Sequence, residues 1–397
     1  MKKTACILSL LITSSFAVSI DEVVDNTIKN NYDLKSIEDS IAVANENIKL
    51  STKWKNPTLT LGVNDIHFDE PLKRDKEPMQ ASYIGFSQVI PVGKKLDIKE
   101  SIAKKDKQMI SLSLQNKKLK LKSLVYEVSY NILILEEKLN LLNSYERNIK
   151  KIKKLSKALY GYGKASQNEI LNSQISLYNL DIKKQTLKNM IDNLYLKLEQ
   201  LSYSKIDSLQ SELDIKELVL NMDIETHPKI IQEQIKIKKF YDIAKLEKEN
   251  ETSDIKLNVA YFNRDDKYED YANISVNIPL SIYKSEKIKA VKAKLEATRV
   301  NSKLVDIKQS LNTELLILQN SINSAYVNYK TIQNSIIPLK KKMQKNLENY
   351  NSFSQIKPQM LIKNLNELIS YEIKAIDWKK EYFSNYSKSK YYTTRVK

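Results

Sequence analysis

Few side chains in this sequence of 397 residues could perform covalent or metal chemistry. Its two histidines, His67 and His227, are 160 positions apart, and neither has metal-ligand spacing around it, so surface positions are expected for both. The segment 161–164, Gly-Tyr-Gly-Lys, lacks the spacing of a phosphate-binding loop and follows a predicted helix instead of a strand. We therefore expect no catalytic residues, no cofactor, no bound metal and no enzymatic activity.

The start of the sequence has the features of a secretory signal peptide. Two lysines precede an apolar run, 5–12, and small residues then lead to an expected cleavage site after Ala17, which assigns 1–17 to the signal. The run is shorter than the roughly 20 residues that a membrane-spanning helix needs. Cys6, the single cysteine, lies inside the signal, so the mature protein is expected to have no thiol and no lipid-attachment cysteine.

Charge and glycine content narrow the class of protein. Loss of the two signal lysines lowers the formal net charge from +17 to +15, which is still strongly basic. A basic chain suggests a nucleic-acid partner, but the lysines here alternate with acidic residues and asparagines along helical faces, which favours a solvated surface and no nucleic-acid partner. Five glycines are few for a globular enzyme with tight ligand loops and fit long helices with few turns.

The second half of the chain repeats the first at a nearly constant offset. Pro91 ends an apolar segment, and Pro279 ends the matching segment 188 residues later. After each proline an apolar residue recurs every seven positions, and the two series are offset by 190. The series are Leu114, Leu121, Val128, Leu135, Leu142 and Ile149, then Leu304, Leu311, Leu318, Ala325, Ile332 and Leu339. Such heptads predict coiled-coil packing of long helices.

The repeat divides the mature sequence into two copies, 18–215 and 216–397, with the same order of elements. The first copy is predicted to have helices at about 20–53, 94–160 and 167–203, and strands at about 57–63 and 82–90. The second is predicted to have helices at about 225–250, 285–350 and 359–386, and strands at about 255–262 and 271–280. Turn residues separate the two last helices of each copy, Gly161 and Gly163 in the first and Pro358 in the second.

The four predicted strands alternate apolar and polar residues, as Leu59, Leu61 and Val63 show, so the sheet should have one apolar face. A half-buried sheet of a soluble domain and an outer-membrane barrel both produce this pattern. The remaining sequence is committed to helices and offers no domain for the sheet to pack on, which favours the barrel. Bacterial barrels begin at about eight strands, so several copies must share one; three copies would give twelve strands.

The predicted long helices also require partners outside the chain. A helix of about 65 residues is roughly 100 Å long, and its heptad stripe is a narrow coiled-coil seam instead of a globular core face. Side-by-side association into a hollow helical cylinder would bury these seams. The expected fold is mainly α with a small β part, four strands per chain and an internal repeat.

Several segments resemble the TolC family of outer-membrane efflux proteins, over essentially the whole mature chain. The resemblance lies in Ile-Asp-Glu-Val-Val at 20–24, Asn-Asn-Tyr-Asp-Leu at 30–34, Asn-Pro-Thr-Leu-Thr-Leu-Gly at 56–62, Phe-Ser-Gln-Val-Ile-Pro-Val-Gly-Lys-Lys at 86–95, and the tip segments 160–163 and 168–174. The short length and the segment 88–95 resemble the heavy-metal cation efflux branch of the family.

The resemblance implies a homotrimer with a twelve-stranded β-barrel in the outer membrane and a long coiled-coil α-barrel in the periplasm. It also implies contacts with outer-membrane lipid, docking to a periplasmic adaptor and an inner-membrane pump, and a role as the outer-membrane channel of a tripartite efflux or type I secretion system. Solutes would pass through passively.

The resemblance further points to a gate at the periplasmic tip, where family members carry acidic residues in the second helical break. Here Glu169 is acidic in the first break, but the position 190 residues later is Gln359, followed by Lys363. A constriction lined by Asn172, Gln359 and Lys363, or a pair between Glu169 and Lys363, is one hypothesis. Ordinary solvated helix positions are the alternative.

Two other classes of protein share part of this pattern. A periplasmic adaptor also contains a helical hairpin, but its β-rich domains need more strands and glycines than this sequence has. A coiled-coil scaffold without a pore accounts for the helices but does not account for the two alternating strand pairs. The outer-membrane channel accounts for both.

Overall fold

The computed structural model describes residues 17–71, 73–348 and 358–392 of the chain. The predicted signal peptide, apart from Ala17, and the predicted second break, apart from Pro358, lie outside these ranges. No helix in the described ranges combines the length and apolarity that crossing a membrane requires.

The described residues contain eight α-helices and six β-strands. The helices are α1 Ile20–Asn30, α2 Tyr32–Ser51, α3 Lys95–Gly161, α4 Gln167–Ser202, α5 Pro228–Glu249, α6 Ser285–Thr331, α7 Ile337–Glu348 and α8 Pro358–Ser389, with a π-helical turn, Ile332–Ile336, between α6 and α7. The strands are β1 Val18–Ser19, β2 Thr58–Asn64, β3 Ala81–Ile90, β4 Leu209–Gln210, β5 Ile255–Asn263 and β6 Tyr271–Asn277. The architecture is therefore mainly α with a small β part.

The chain forms two compact units. Among the described residues, a sheet unit comprises 36–71, 73–115 and 228–308, and a helical unit comprises 17–35, 116–227, 309–348 and 358–392. Each unit contains residues from both predicted copies of the repeat.

The sheet unit is built on an antiparallel sheet with the strand order β2-β3-β5-β6. Its two hairpins, β2–β3 and β5–β6, come from the two copies of the repeat, and β3 pairs with β5 at the centre. β2 and β6 are the edge strands, and each has one side without a strand partner in the described part of the chain.

One face of this sheet is apolar and exposed, because the cross-strand register aligns the apolar positions of all four strands. One row across the sheet reads Leu59, Phe86, Val259 and Ile274. The side chains of this row are 39 to 70% exposed, with Ile274 the most exposed. An apolar surface of this continuity predicts contact with lipid or with another protein.

The opposite face carries small, polar and aromatic side chains. Gly62 lies opposite Tyr83 in the register, and a Cβ atom at this glycine would come within 2.6 Å of the tyrosine ring. The ring stacks on Phe262, which in turn stacks on Tyr271. Any residue larger than glycine at position 62 would displace this aromatic row.

Ion pairs join the first part of α3 to α5 within the sheet unit. The Nζ of Lys105 lies 2.6 Å from an Asp242 carboxylate oxygen, and the Nζ of Lys239 lies 2.5 Å from one of Asp106. In the first pair the lysine is on α3 and the aspartate on α5, and in the second pair the arrangement is reversed. Together the two pairs fix the position of α5 along α3.

In the helical unit, α3 contacts α4 and α8 through charged pairs that accompany the apolar seam. Lys184 on α4 reaches Glu146 on α3 at 2.5 Å, and Lys379 on α8 reaches Glu137 at 2.8 Å. Hydrogen bonds from Lys150 and Lys184 lower the pKa of Glu146 to about 2. The carboxylate therefore stays ionised, and the α3–α4 pair stays charged, throughout the neutral range.

The predicted heptad seams are largely buried, but the second one changes register near its end. Ile332 is 8% exposed, whereas Leu339, the next position of the heptad, is 64% exposed. The buried residue after Ile332 is Ile337, five positions later, which is the spacing of a π turn. Pro338 follows directly, and a proline in a regular helix would clash with the carbonyl four residues before it. The predicted single helix 285–350 is therefore interrupted, and Leu339 leaves the seam.

The first predicted helix, 20–53, is also divided. Asn31, 5% exposed, separates α1 from α2, and its Oδ1 accepts a hydrogen bond from the backbone N–H of Leu34 at 3.2 Å. Asparagine at a helix start satisfies a backbone donor in this way. The preceding strand β1 pairs in parallel with β4, a short contact that the alternation pattern did not predict.

The expectation of a surface position is wrong for His227. Its side chain is fully buried, its Nε2 lies 3.2 Å from the carbonyl oxygen of Tyr391, and the two rings pack edge to face at 4.9 Å. This histidine attaches the end of the chain after α8 to the rest of the helical unit.

Candidate functional site

The turn between α3 and α4 depends on one glycine. Gly163 has a φ of +68°, in the left-handed region, and its N–H donates to the carbonyl of Tyr160 at 2.9 Å while the next residue, Lys164, donates to Leu159 at 2.8 Å. These bonds satisfy carbonyls that the end of α3 leaves free. Gly161 still belongs to α3 and has open space around it. Pro358, the third predicted turn residue, is the first residue of α8.

Glu169 has a structural function at the start of α4. Its Oε2 accepts a hydrogen bond from the backbone N–H of Ser166 at 3.0 Å. Ser166 and Glu169 are the first and fourth residues of a capping box, in which glutamate or glutamine at the fourth position satisfies the cap N–H. The Ser-x-x-Glu spacing was the sequence signal for this arrangement.

Two substitutions separate the capping function of Glu169 from its charge. Glu169→Ala should destabilise the first turn of α4 by about 0.5–1 kcal/mol, as loss of a cap interaction does. Backbone amides 167–170 should then exchange with deuterium about two- to fivefold faster.

Glu169→Gln is the matched control for this exchange experiment. It keeps a side-chain acceptor for the Ser166 N–H and removes the charge, so its exchange should match the wild type. Equal acceleration in both variants would show that the charge, and not the cap, stabilises this turn.

A cavity of about 550 Å³ lies between the first turns of α4 and α8 in the helical unit. It brings together the four residues that the sequence nominated for the tip, namely Glu169, Asn172, Gln359 and Lys363. Glu169 and Gln359, 190 positions apart in the repeat, therefore both line one cavity. The rest of its lining is Ile175, Ser176, Ile362, Asn366, Glu367 and Ser370.

Most of the residues that line the cavity are polar or charged, and their charges are of both signs. Lys340 on α7 donates a hydrogen bond to Glu367 at 2.5 Å. This bond, together with the positive charges of Lys340 and Lys363, holds the pKa of Glu367 below its usual range. Within the described residues no ion pair joins Glu169 to Lys363, since the glutamate caps α4 and the lysine lies near Glu367. Lys363 thus supplies a positive charge to the α8 side of the cavity.

Glu367 is the lining residue of most consequence that the sequence analysis missed. It lies four residues after Lys363 on the same helix, and residues four apart share a helical face. Extending the face of Gln359 and Lys363 by one turn would have found it.

Comparisons with known proteins agree with this architecture. Residues 23–202 match the family model described as outer membrane efflux protein. This match covers 180 of the 397 residues and agrees with the resemblance of the sequence to the TolC family of outer-membrane efflux proteins. No curated protein sequence matches it.

Solved structures share the fold of this chain at low identity. The Campylobacter jejuni CmeC outer membrane channel is 15% identical with a TM-score of 0.75, over 94% of this chain and 85% of that one. CusC is 11% identical with a TM-score of 0.78, over 95% of this chain and 92% of that one. The Neisseria gonorrhoeae MtrE outer membrane channel is 12% identical with a TM-score of 0.75, over 94% of this chain and 88% of that one.

The matched model is that of an outer-membrane efflux protein, and the solved structures that share the fold include outer-membrane channels, which agrees with the predicted location in the outer membrane. The adaptor and scaffold alternatives do not account for a match to this family. The family is one of channels and not of enzymes.

Proposed function

We propose that the protein is one subunit of a homotrimeric duct through which solutes leave the cell passively, without chemistry on the solute. The four-stranded sheet would supply one third of a twelve-stranded barrel, and the helical unit would supply one third of a periplasmic helical cylinder. A periplasmic adaptor and an inner-membrane pump would deliver the solute to it.

The observation that carries this proposal is the sheet, with its exposed apolar face and its two free edges. Lipid cannot hydrogen-bond the unpaired N–H and C=O groups of an edge strand, so an open sheet does not persist within a bilayer. Pairing β6 of one copy with β2 of the next removes both edges. The smaller polar side chains of the opposite face, such as Thr60, Asn258 and Asn273, would then line the interior.

The tip cavity is the proposed site of the periplasmic mouth. In a trimer each copy would place Asn172, Gln359 and Lys363 around the same axis, so the constriction would bring three lysines close to the acids Glu169 and Glu367 of each copy. Rings of charged side chains set ion preference in pores. This mouth would differ from the acidic gate that the family resemblance implied.

The proposal is tested by where the mature protein fractionates and how many copies associate. It should sediment with outer membranes, resist alkaline extraction, and give three copies per particle by light scattering after purification in detergent. A peripheral adaptor or scaffold would be released by alkali. A monomer that remains soluble without detergent would contradict the duct.

A further inference from the structure

A second group of side chains with possible chemistry lies in the loop between β2 and β3, far along the chain from the tip residues. Asp65, His67 and Glu77 each place a ligand-type atom within 4.8 Å of the other two. We propose that this loop binds one divalent transition-metal ion of the zinc class per chain. The proposal does not depend on the duct or on the tip cavity.

The spacing of two of the three donors already suits a metal. The Nε2 atom of His67 and the Oε1 atom of Glu77 are 3.5 Å apart. Two donors of a tetrahedral zinc site, each about 2.1 Å from the ion, lie roughly 3.4 Å apart. Asp65 and Glu77 are both exposed, and the Asp65 carboxylate lies within 4.8 Å of the other two ligand atoms.

The imidazole nitrogen in this cluster lacks a hydrogen-bond partner. His67 Nε2 is buried at the atom level and accepts or donates no hydrogen bond within the described residues. Buried polar atoms in proteins are nearly always paired, and an exception calls for an explanation such as an ion. A metal bound to Nε2 would satisfy this atom.

The lysines and arginine near the cluster form ion pairs or hydrogen bonds with other residues of the loop and sheet, so none of them neutralises the two carboxylates of the cluster. Lys73 and Lys76 both pair with Glu70, at 2.7 and 2.5 Å, and these bonds lower the pKa of Glu70. Arg74 donates to Ser82 at 2.5 Å. Within the described residues, no lysine or arginine forms an ion pair with Asp65 or Glu77.

A buried amide holds the two ends of the cluster together. Gln80 is 1% exposed. Its Nε2 donates to the carbonyl of Asp65 at 3.1 Å, and its Oε1 accepts from the N–H of Lys76 at 3.0 Å and of Glu77 at 3.3 Å. Preorganised ligands lower the entropic cost of binding, and Gln80 positions Asp65 and Glu77 without a metal.

The donor set selects the class of ion. One imidazole nitrogen with two carboxylate oxygens suits zinc and its neighbours, whereas calcium and magnesium prefer oxygen ligands alone. The matching loop of the second copy, 264–270, is nine residues shorter than the first, 65–80, and contains no histidine. The site therefore belongs to the insertion in the first loop.

The test is a competition titration of the tag-free full chain in detergent with Zn²⁺ and a chromophoric chelator. We expect one Zn²⁺ per chain in the wild type. His67→Ala and Glu77→Gln should each weaken zinc binding at least tenfold, because each removes one of three ligands. Asp69→Asn, which removes a charge from the same loop outside the cluster, should bind zinc as the wild type does.

Two controls keep the result interpretable. Excess Ca²⁺ should not displace the zinc, and each variant is checked for wild-type outer-membrane assembly. If His67→Ala fails to assemble, Glu77→Gln decides alone, since it is nearly isosteric. Absence of stoichiometric zinc, unchanged affinity in the ligand variants, or displacement by Ca²⁺ would each overturn the proposal.

Discussion

Arginine in place of Ile274 is expected to prevent most of the protein from assembling in the outer membrane. Ile274 lies at the centre of β6, is 70% exposed, and belongs to the apolar face of the sheet. An arginine at the lipid-facing midplane of a barrel costs about 2–4 kcal/mol, and a trimer would carry three. The alkali-resistant fraction in outer membranes should fall at least tenfold, since about 1.4 kcal/mol already corresponds to a factor of ten.

Ser275→Arg is the matched control for this experiment. Ser275 is the next residue on the same strand, is also exposed, and points to the opposite face. If that face lines an aqueous interior, the arginine stays hydrated and assembly should remain close to the wild type. Equal assembly of both variants would show that the apolar face does not meet lipid. Equal failure of both would show that β6 tolerates arginine on neither face.

The strands illustrate how far sequence patterns reach in this protein. Alternation depends only on local residue order, and it placed the four long strands within three residues of their observed bounds and assigned the apolar face. It could not find β1 and β4, because each has two residues and owes its existence to a pairing between distant segments.

The helical seams show where a periodic pattern stops being informative. The heptad predicted burial at Ile332, but it also predicted burial at Leu339, which is exposed. One π turn before Pro338 shifts all later positions by one residue. A fixed period of seven cannot represent that shift, although a proline inside a predicted helix is a visible warning of a break.

The two histidines show why candidate chemistry needs a structure. His227 is buried against Tyr391, 164 residues later in the chain, and nothing near position 227 in the sequence indicates that contact. His67 meets Asp65 and Glu77 because Gln80 folds the loop back on itself. The repeat offset related Glu169 to Gln359 directly, and both residues line one cavity; their role at a gate stays a prediction.

Reversing the charge at Lys363 is expected to change the ion selectivity of the pore. Lys363 lines the tip cavity together with Glu169 and Glu367, so in the proposed homotrimer Lys363→Glu would make the net charge of the mouth more negative by six. Potentials of several kT in such a cleft change local ion concentrations by about tenfold or more. In planar bilayers with a KCl gradient, the reversal potential of Lys363→Glu should shift towards cation selectivity. The permeability ratio of cation to anion should rise about tenfold over the wild type, and Lys363→Ala should give an intermediate ratio.

Lys380→Glu on the same helix provides the matched control, because it makes the same change of charge about 25 Å further along α8. That distance exceeds the Debye length of about 10 Å at 0.1 M salt, so the permeability ratio should stay near the wild type.

Lys363→Ala serves as a second control, because it does not place another acid beside Glu367. It therefore separates the loss of the positive charge from a new repulsion within α8. If Lys363→Glu and Lys363→Ala both kept the selectivity and conductance of the wild type, as Lys380→Glu should, Lys363 would not line the mouth of the pore. It would then be an ordinary solvated helix position.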